Sequence, residues 1–188
     1  MHKFMDKLRF SLSEMKNLYH LVLCAMLGAV AIVLGSLSIQ VGNYIKIGFS
    51  GIPNQLVAAL FGPVTAGIFG GIMDIVKFVL KPTGPYFPGF TISAVLGGII
   101  YGFFYYVPMV SKQKISFWRI LLAEAFVAVF VNILLGTYWL SILYGKGFLA
   151  LLPARALKNV IMTPINSLIF YTVYNSLLQL FRRSLHHA

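Results

Sequence analysis

Residues 52–80 read IPNQLVAALFGPVTAGIFGGIMDIVKFVL and form two apolar runs, with a Gly-Pro pair at positions 62 and 63 between them. The first run ends after ten residues, whereas a helix needs about 20 residues to cross a bilayer. The second run is long enough for a full crossing. Because proline has no backbone N–H and favours the first turn of a helix, the pattern predicts a short helix followed by a membrane-spanning helix.

The composition of the whole chain favours a membrane protein. Of its 188 residues, 59% are apolar and 10% are charged, whereas soluble domains have about 45–50% apolar and about 25% charged residues. Disorder is excluded, because it requires little apolar surface and much charge. In a soluble protein the net charge of +11 would suggest nucleic acid. Here the basic residues fall mostly between apolar runs, so the positive-inside rule explains them and no nucleic-acid partner is expected.

The apolar runs predict an all-α membrane protein with six transmembrane helices, a short second helix and ordered outer loops. We expect residues 1–188 to form a single integral-membrane domain. After the first span, VGNYIKIGFSG (residues 41–51) alternates apolar and polar residues, which is typical of extended chain. If the chain crosses the membrane six times, nine of its fifteen Lys and Arg lie on the same side of the membrane as the two termini. The positive-inside rule then places both termini in the cytoplasm. The spans are expected at about residues 18–40, 52–62, 63–81, 89–107, 118–143 and 153–181.

Basic residues at the outer ends of the spans form a candidate anion site. Lys81 falls in an outer loop, and Arg155 and Lys158 begin the last span beside Asn159. Residues three positions apart share a helix face. Snorkelling to lipid headgroups is the simplest explanation for basic residues at helix ends. Two cations on one face with few carboxylates nearby instead favour a bound carboxylate, which a guanidinium can hold with two hydrogen bonds.

Three further charged residues lie within the apolar segments. Asp74 and Lys77 are three positions apart in one span, and mutual neutralisation is the simplest interpretation. The alternative is a binding role, because ionisable residues within spans usually mark functional sites, and a carboxylate there would accept hydrogen bonds from an amino-heterocycle. Glu124, near the cytoplasmic end of the fifth span, is expected to pair with a nearby Arg or Lys.

Aromatic residues cluster in the same outer region as the cations. Interfacial aromatic belts explain many such residues, but a belt does not require aromatics to share loops with cations. A flat heterocycle with an anionic tail would use this combination. The candidates are Tyr86, Phe87, Phe90 and Trp139.

Small residues recur at four-residue spacing and predict close helix contacts. Ala25 and Ala29 in the first span either pack inside the bundle or face a partner protein, and spacing alone leaves both open. Enzymatic chemistry is not expected, because the sequence has no G-x-x-x-x-G-K-[ST] motif and no histidine between residues 21 and 185. No metal or other cofactor is expected either. The other small-residue stripes are Gly67/Gly71 and Ala94/Gly98/Gly102.

The order of several segments resembles the substrate-binding (S) components of energy-coupling factor (ECF) vitamin transporters. The matching segments are IKIGFSGIPNQLVAALFGPVTAGIFGGIMDIVKF (45–78), PTGPYFPGFTISAVLGGIIYG (82–102) and the AMLGA segment (25–29), which is similar to an A-x-x-x-A motif of the family. NILLGTYWLSILYGKGF (132–148) and LLPARALKNVIMTPIN (151–166) resemble the folate-specific members in particular. Gly136 departs from the resemblance, which leads us to expect Asn there.

The resemblance implies capture of extracellular folate in the plasma membrane of a bacterium. A separate transmembrane coupling (T) subunit and two ATPase subunits would drive uptake, and the S component would topple in the membrane to release its ligand. Ala25 and Ala29 would contact the coupling subunit. The folate site is expected to contain Arg155 and Lys158 at the glutamate tail, Trp139 with Tyr86, Phe87 or Phe90 at the pterin ring, Asn132, Asn159 and Asp74 at polar edges, and Lys81.

Three alternatives to a folate-specific S component remain open. The first is an S component for another vitamin, but thiamin is a cation, riboflavin has no carboxylate and pantothenate has no ring to stack. The second is a stand-alone secondary transporter, which usually has internal repeats that are not evident in this sequence. The third is a scaffold without a ligand, which would leave the cluster of cations unexplained.

Overall fold

The computed structural model describes residues 18–36, 39–41, 45–47, 49–82, 84–106, 115–145 and 147–186. Residues 1–17 and 107–114, which carry many of the basic residues used to predict the orientation, lie outside these ranges. The described residues form a helical bundle with one small hairpin. Its helices are α1 (Leu18–Ser36), α2 (Gly51–Leu80), α3 (Pro88–Tyr105), α4 (Phe117–Tyr144) and α5 (Phe148–His186).

All five helices are long and apolar enough to cross a membrane, which confirms the predicted all-α class. The expected second and third spans fall within a single element, α2, so five helices of spanning length, rather than six, are present in the described part of the chain. The middle of α4, Ala128–Leu135, is π-helical, and the sequence gives no signal for this change of winding.

Gly62 interrupts α2. Its φ of 86° and ψ of −176° are not helical, and glycine adopts such a positive φ without the steric cost that a Cβ brings. Pro63 then begins the next stretch of helix. The Gly-Pro pair therefore divides α2 into helical segments at residues 51–61 and 63–80, as the sequence predicts.

The segment between α1 and α2 contains a short antiparallel hairpin, β1 (Ile39–Val41) and β2 (Ile45–Ile47), in which Ile39 lies opposite Ile47. The first helix therefore ends at Ser36, before the expected end near residue 40. Glycine at position 35 lowers helix propensity, and the Ser36 hydroxyl donates to the Val33 carbonyl (2.6 Å). Extended chain then follows, as the alternation in this segment indicates.

The interior of the bundle is built around α2, because 72% of the most apolar 18 residues of α2 are buried, against 11% for α1 and none for α5. The tightest contact is with α3. A Cβ on Gly98 would overlap the carbonyl group of Ala66, so the backbones of the two helices touch where the small-residue stripe of α3 lies. This stripe packs inside the bundle, as small-xxx-small spacing predicts.

Glu124 lies in the interior and is 4% exposed. Its carboxylate accepts hydrogen bonds from Nε2 of Gln55 on α2 (2.5 Å) and from the hydroxyl of Tyr101 on α3 (2.8 Å). The expectation that Glu124 pairs with an Arg or Lys is therefore wrong. Buried polar groups take whichever hydrogen-bond partner packs against them, and in this bundle the neutral side chains of α2 and α3 do so.

Candidate functional site

A cavity of about 790 Å³ opens at the end of the bundle where α1 and α4 end, α3 and α5 begin, and both ends of α2 lie. Its volume lies within the range of about 300–1,000 Å³ that is usual for small-molecule sites. The connection between α2 and α3 forms part of its wall. The cavity is lined by Ile32, Gly35, Ser36, Ser50, Asp74, Lys77, Phe78, Leu80, Lys81, Gly84, Pro85, Tyr86, Phe87, Phe90, Leu140, Leu143, Tyr144, Arg155 and Lys158.

Most of the candidate site residues meet in this cavity although they lie far apart in the sequence. The bundle brings the end of α2, the start of α3 and the start of α5 to the same place. Seven of the ten candidates line the cavity, namely Asp74, Lys81, Tyr86, Phe87, Phe90, Arg155 and Lys158.

The positive side of the cavity comes from α5. Arg155 is half-buried, and its Nη1 donates a hydrogen bond to the backbone carbonyl of Gly136 on α4 (2.7 Å). An arginine has five N–H donors, and no carboxylate pairs with Arg155 in the part of the chain that the structure describes. Lys158 follows one turn later and also lines the cavity. These two groups can hold an anion at this side.

The aromatic side of the cavity is centred on Phe87. Its ring lies 6.1 Å from that of Phe90 and 5.7 Å from that of Trp139, within the range of stabilising aromatic pairs. Trp139 does not itself line the cavity. Its Nε1 donates to the hydroxyl of Ser93 on α3 (3.0 Å), so the indole is fixed behind Phe87. This arrangement provides apolar faces suited to a flat ring.

A chain of hydrogen bonds holds the carboxylate of Asp74 at the cavity wall. The hydroxyl of Thr91 donates to Oδ2 of Asp74 (2.8 Å), and the hydroxyl of Tyr86 lies 2.8 Å from the same Thr91 oxygen. Because the single Thr91 proton goes to the carboxylate, Tyr86 is the donor to Thr91. Lys77, one turn after Asp74 on α2, donates a hydrogen bond from its Nζ to the carbonyl of Ser50 (3.4 Å).

The remaining candidates lie away from the cavity lining. Nδ2 of Asn159 donates to the carbonyl of Arg155 one turn earlier (2.9 Å). Asn132 is exposed on the π-helical part of α4. Ala25 and Ala29 are also exposed, whereas Gly28 and Ala31 of the same helix are buried.

Sequence reasoning missed Thr91, Phe78 and Tyr144 as parts of the site. Phe78 and Tyr144 line the cavity, and Phe78 packs against Tyr86 with ring centres 5.1 Å apart. Tyr144 lies five residues after the candidate Trp139, directly after the predicted fifth span, and this position could have identified it. No sequence spacing connects Thr91 with Asp74, because they lie on different helices.

Comparison with known proteins places the chain in a family. The sequence pattern of the family described as "ECF transporter, substrate-specific component" matches residues 19–174. The folate transporter FolT of Clostridium novyi is 43% identical over 135 residues, covering 72% of this chain and 75% of that protein. FolT of Leuconostoc mesenteroides is 32% identical over 160 residues, covering 82% of this chain and 84% of that protein.

The fold is also similar to a solved structure described as "Crystal structure of FolT bound with folic acid". The TM-score is 0.75 at 36% sequence identity, and the match covers 85% of this chain and 95% of that chain. The chain therefore belongs to the substrate-specific components of ECF transporters.

Proposed function

We propose that this protein is the folate-binding substrate-specific component of an ECF transporter in a bacterial membrane. The observation that carries the proposal is the cavity that combines Arg155 and Lys158 with an aromatic wall. Folate has matching halves, namely a flat pterin and a glutamate tail with two carboxylates. Similarity to folate transporters over most of the chain supports the same ligand.

The ligand is oriented by the charges around the cavity. Arg155 and Lys158 hold the carboxylates of the glutamate through charge-assisted hydrogen bonds, with Lys81 at the rim. The pterin lies against Phe87 and Phe90, backed by Trp139. The carboxylate of Asp74 accepts hydrogen bonds from the amino-substituted edge of the ring, at the position that Thr91 fixes.

The topology proposed for the chain has six crossings and cytoplasmic termini. The two helical segments of α2, together with α1, α3, α4 and α5, give six segments. An even number returns both termini to one side, and the positive-inside rule assigns that side to the cytoplasm. The cavity then opens to the exterior, where folate is captured.

ATP-driven uptake requires partners, because the sequence contains no P-loop for nucleotide hydrolysis. We assign energy coupling to a transmembrane T subunit and two ATPase subunits. The exposed small face of α1 at Ala25 and Ala29 allows close approach of a partner helix and is the proposed contact with the T subunit.

Binding measurements with two matched ligands test the proposal. Folate and its dimethyl ester share the ring system, but the ester has no charged carboxylate. Arg155→Ala should remove a charged hydrogen bond of about 1.5–3 kcal/mol, which corresponds to a roughly ten- to hundredfold weaker folate complex. Arg155→Lys should recover only part of this affinity, since an ammonium cannot bind bidentately. Quenching of tryptophan fluorescence in the purified protein reports the affinity.

The ester is the control for folding. Ester binding should change little in Arg155→Ala, because the ester lacks the negative charges that the guanidinium binds. Equal decreases in affinity for both ligands would show that Arg155 is structural or contacts the ring. Failure of the wild-type protein to bind folate, together with binding of riboflavin or pantothenate, would reject the folate assignment. In liposomes the purified chain should bind folate without accumulating it, and accumulation driven by an ion gradient would favour a secondary transporter.

A further inference from the structure

Gly136 lies buried beneath the guanidinium of Arg155. A Cβ built on Gly136 would lie 3.0 Å from Nη2 and 3.4 Å from both Cζ and Nη1 of Arg155. The guanidinium therefore occupies the space that a side chain at position 136 would need. The same residue supplies the acceptor, because its carbonyl receives the 2.7 Å hydrogen bond from Nη1.

The position of Gly136 in α4 is also unusual. The π-helical segment ends at Leu135, and Gly136 begins the last α-helical part of α4, which runs from Gly136 to Tyr144. Short π-helical stretches are frequent at functional sites. The guanidinium of Arg155 thus contacts α4 where its π-helical segment changes to α-helix.

We propose that Gly136 is a positioning residue for recognition of the ligand carboxylate. By leaving room for the guanidinium and binding one of its N–H groups, Gly136 fixes Arg155 at the cavity wall. The other guanidinium donors stay available for the ligand. A long arginine side chain loses rotamer freedom when it binds a ligand. The contact with Gly136 holds the guanidinium in place beforehand, which reduces this entropic cost of binding. This inference rests on the proposed function, because the contact between Gly136 and Arg155 affects ligand binding only if Arg155 binds a carboxylate.

The added atom in Gly136→Ala would meet the far end of a flexible side chain, so the protein should fold while the guanidinium moves. We expect folate to bind roughly three- to tenfold more weakly, since a charged hydrogen bond is weakened. Gly136→Val should weaken binding further. Folate dimethyl ester should bind each variant within about twofold of wild type. Gly97→Ala is the matched control, because a Cβ there makes only an ordinary contact with Val127, at 3.9 Å.

A double-mutant cycle separates positioning from a structural effect. Once Arg155 is replaced by alanine, Gly136→Ala should cause no further decrease in folate affinity. In the Arg155→Lys background the penalty should also vanish, because lysine lacks the Nη atoms that the new Cβ meets. A decrease that adds fully to that of Arg155→Ala, or an equal decrease for folate and its ester, would overturn the positioning role.

The outcomes also distinguish this inference from the proposed function. If Arg155→Ala weakens folate binding while Gly136→Ala leaves it unchanged, the carboxylate contact stands and only the positioning role fails. If Arg155→Ala has no effect on folate binding, the carboxylate contact fails and the positioning role fails with it. If Gly136→Ala lowers the affinities for folate and the ester equally, and the decrease persists in the Arg155→Lys background, the effect is a packing defect and the positioning role fails.

Discussion

Thr91 donates a hydrogen bond to Oδ2 of Asp74 over 2.8 Å, and this bond ties α3 to α2 at the wall of the cavity. The hydroxyl of Tyr86 donates a hydrogen bond to the hydroxyl oxygen of the same Thr91. The position of the carboxylate therefore depends on a neutral residue of another helix, as well as on its own place in α2. A site of this kind is sensitive to the removal of one hydroxyl.

Thr91→Val is the most direct test of this hydrogen-bond chain. The substitution keeps the branched shape and leaves both Asp74 and Tyr86 without their partner, which costs about 1–2 kcal/mol in a partly shielded site. Folate should bind about five- to thirtyfold more weakly. Thr91→Ser retains the hydroxyl and should bind within about threefold of wild type. Isothermal titration of the three proteins measures the effect, and equal affinities for valine and threonine would remove Thr91 from the site.

The buried carboxylate of Glu124 predicts a stability effect without a binding effect. Glu124→Ala leaves the donors of Gln55 and Tyr101 unpaired in the interior and creates a cavity, at a cost of about 2–4 kcal/mol. The melting temperature should fall by about 5–15 °C. Glu124→Gln keeps an acceptor for Tyr101, so its melting temperature should fall by less than half as much. Thermal unfolding in detergent measures both.

Folate affinity is the control for the Glu124 variants. Glu124 does not line the cavity, so the affinity measured well below the melting temperature should stay near that of wild type. A large decrease in the affinity of Glu124→Gln would instead connect this buried carboxylate to the ligand.

The features that the sequence predicts well depend on residues that are close together in the chain. Hydropathy identifies the apolar helices, and the Gly-Pro pair marks the break at Gly62. The grouping of Arg155 with Phe87 follows from topology, because loops on one side of a bundle must lie close together. The order of these segments along the chain supports the resemblance to the folate-specific members of the family.

The features that the sequence does not predict depend on neighbours from other helices. Glu124 takes Gln55 and Tyr101 as partners because α2 and α3 pack against it, and no spacing along α4 encodes that choice. Trp139 lies behind Phe87 rather than in the lining, since its indole N–H binds Ser93. The contact of Arg155 with Gly136 joins α5 to α4 and depends on the absence of a side chain at position 136.

The exposed face of α1 predicts a separation of binding from uptake. Ala25→Trp or Ala29→Trp should leave folate affinity within about threefold of wild type, because both residues lie outside the cavity lining. Either change should abolish folate uptake by cells that contain the complete transporter, since a bulky ring holds a partner helix away. Leu168→Trp, at a position that is 58% exposed on α5, is the matched control and should preserve uptake. Normal uptake by both α1 variants would place the partner contact elsewhere.

Adjacent glycines of α3 provide the sharpest test of the packing that shapes the cavity. A Cβ on Gly98 would overlap the backbone of Ala66 on α2, whereas a Cβ on Gly97 meets only Cγ1 of Val127, at 3.9 Å. A clash with backbone atoms cannot be relieved by a rotamer change, so Gly98→Ala must push α3 away from α2. Alanine is otherwise the better helix former by about 0.8–1.0 kcal/mol, so helix propensity alone would stabilise both variants.

Gly98→Ala should therefore lower the melting temperature by about 2–12 °C, as expected for an overpacking cost of about 1–3 kcal/mol. It should also weaken folate binding. Asp74 on α2 and Phe90 on α3 both line the cavity, and separating the two helices moves these side chains apart. Gly97→Ala should match or exceed wild type in both measurements. If the two variants melt at the same temperature, the helices do not touch at Gly98 in the membrane protein, and the geometry that brings Thr91 to Asp74 would have to arise from another contact.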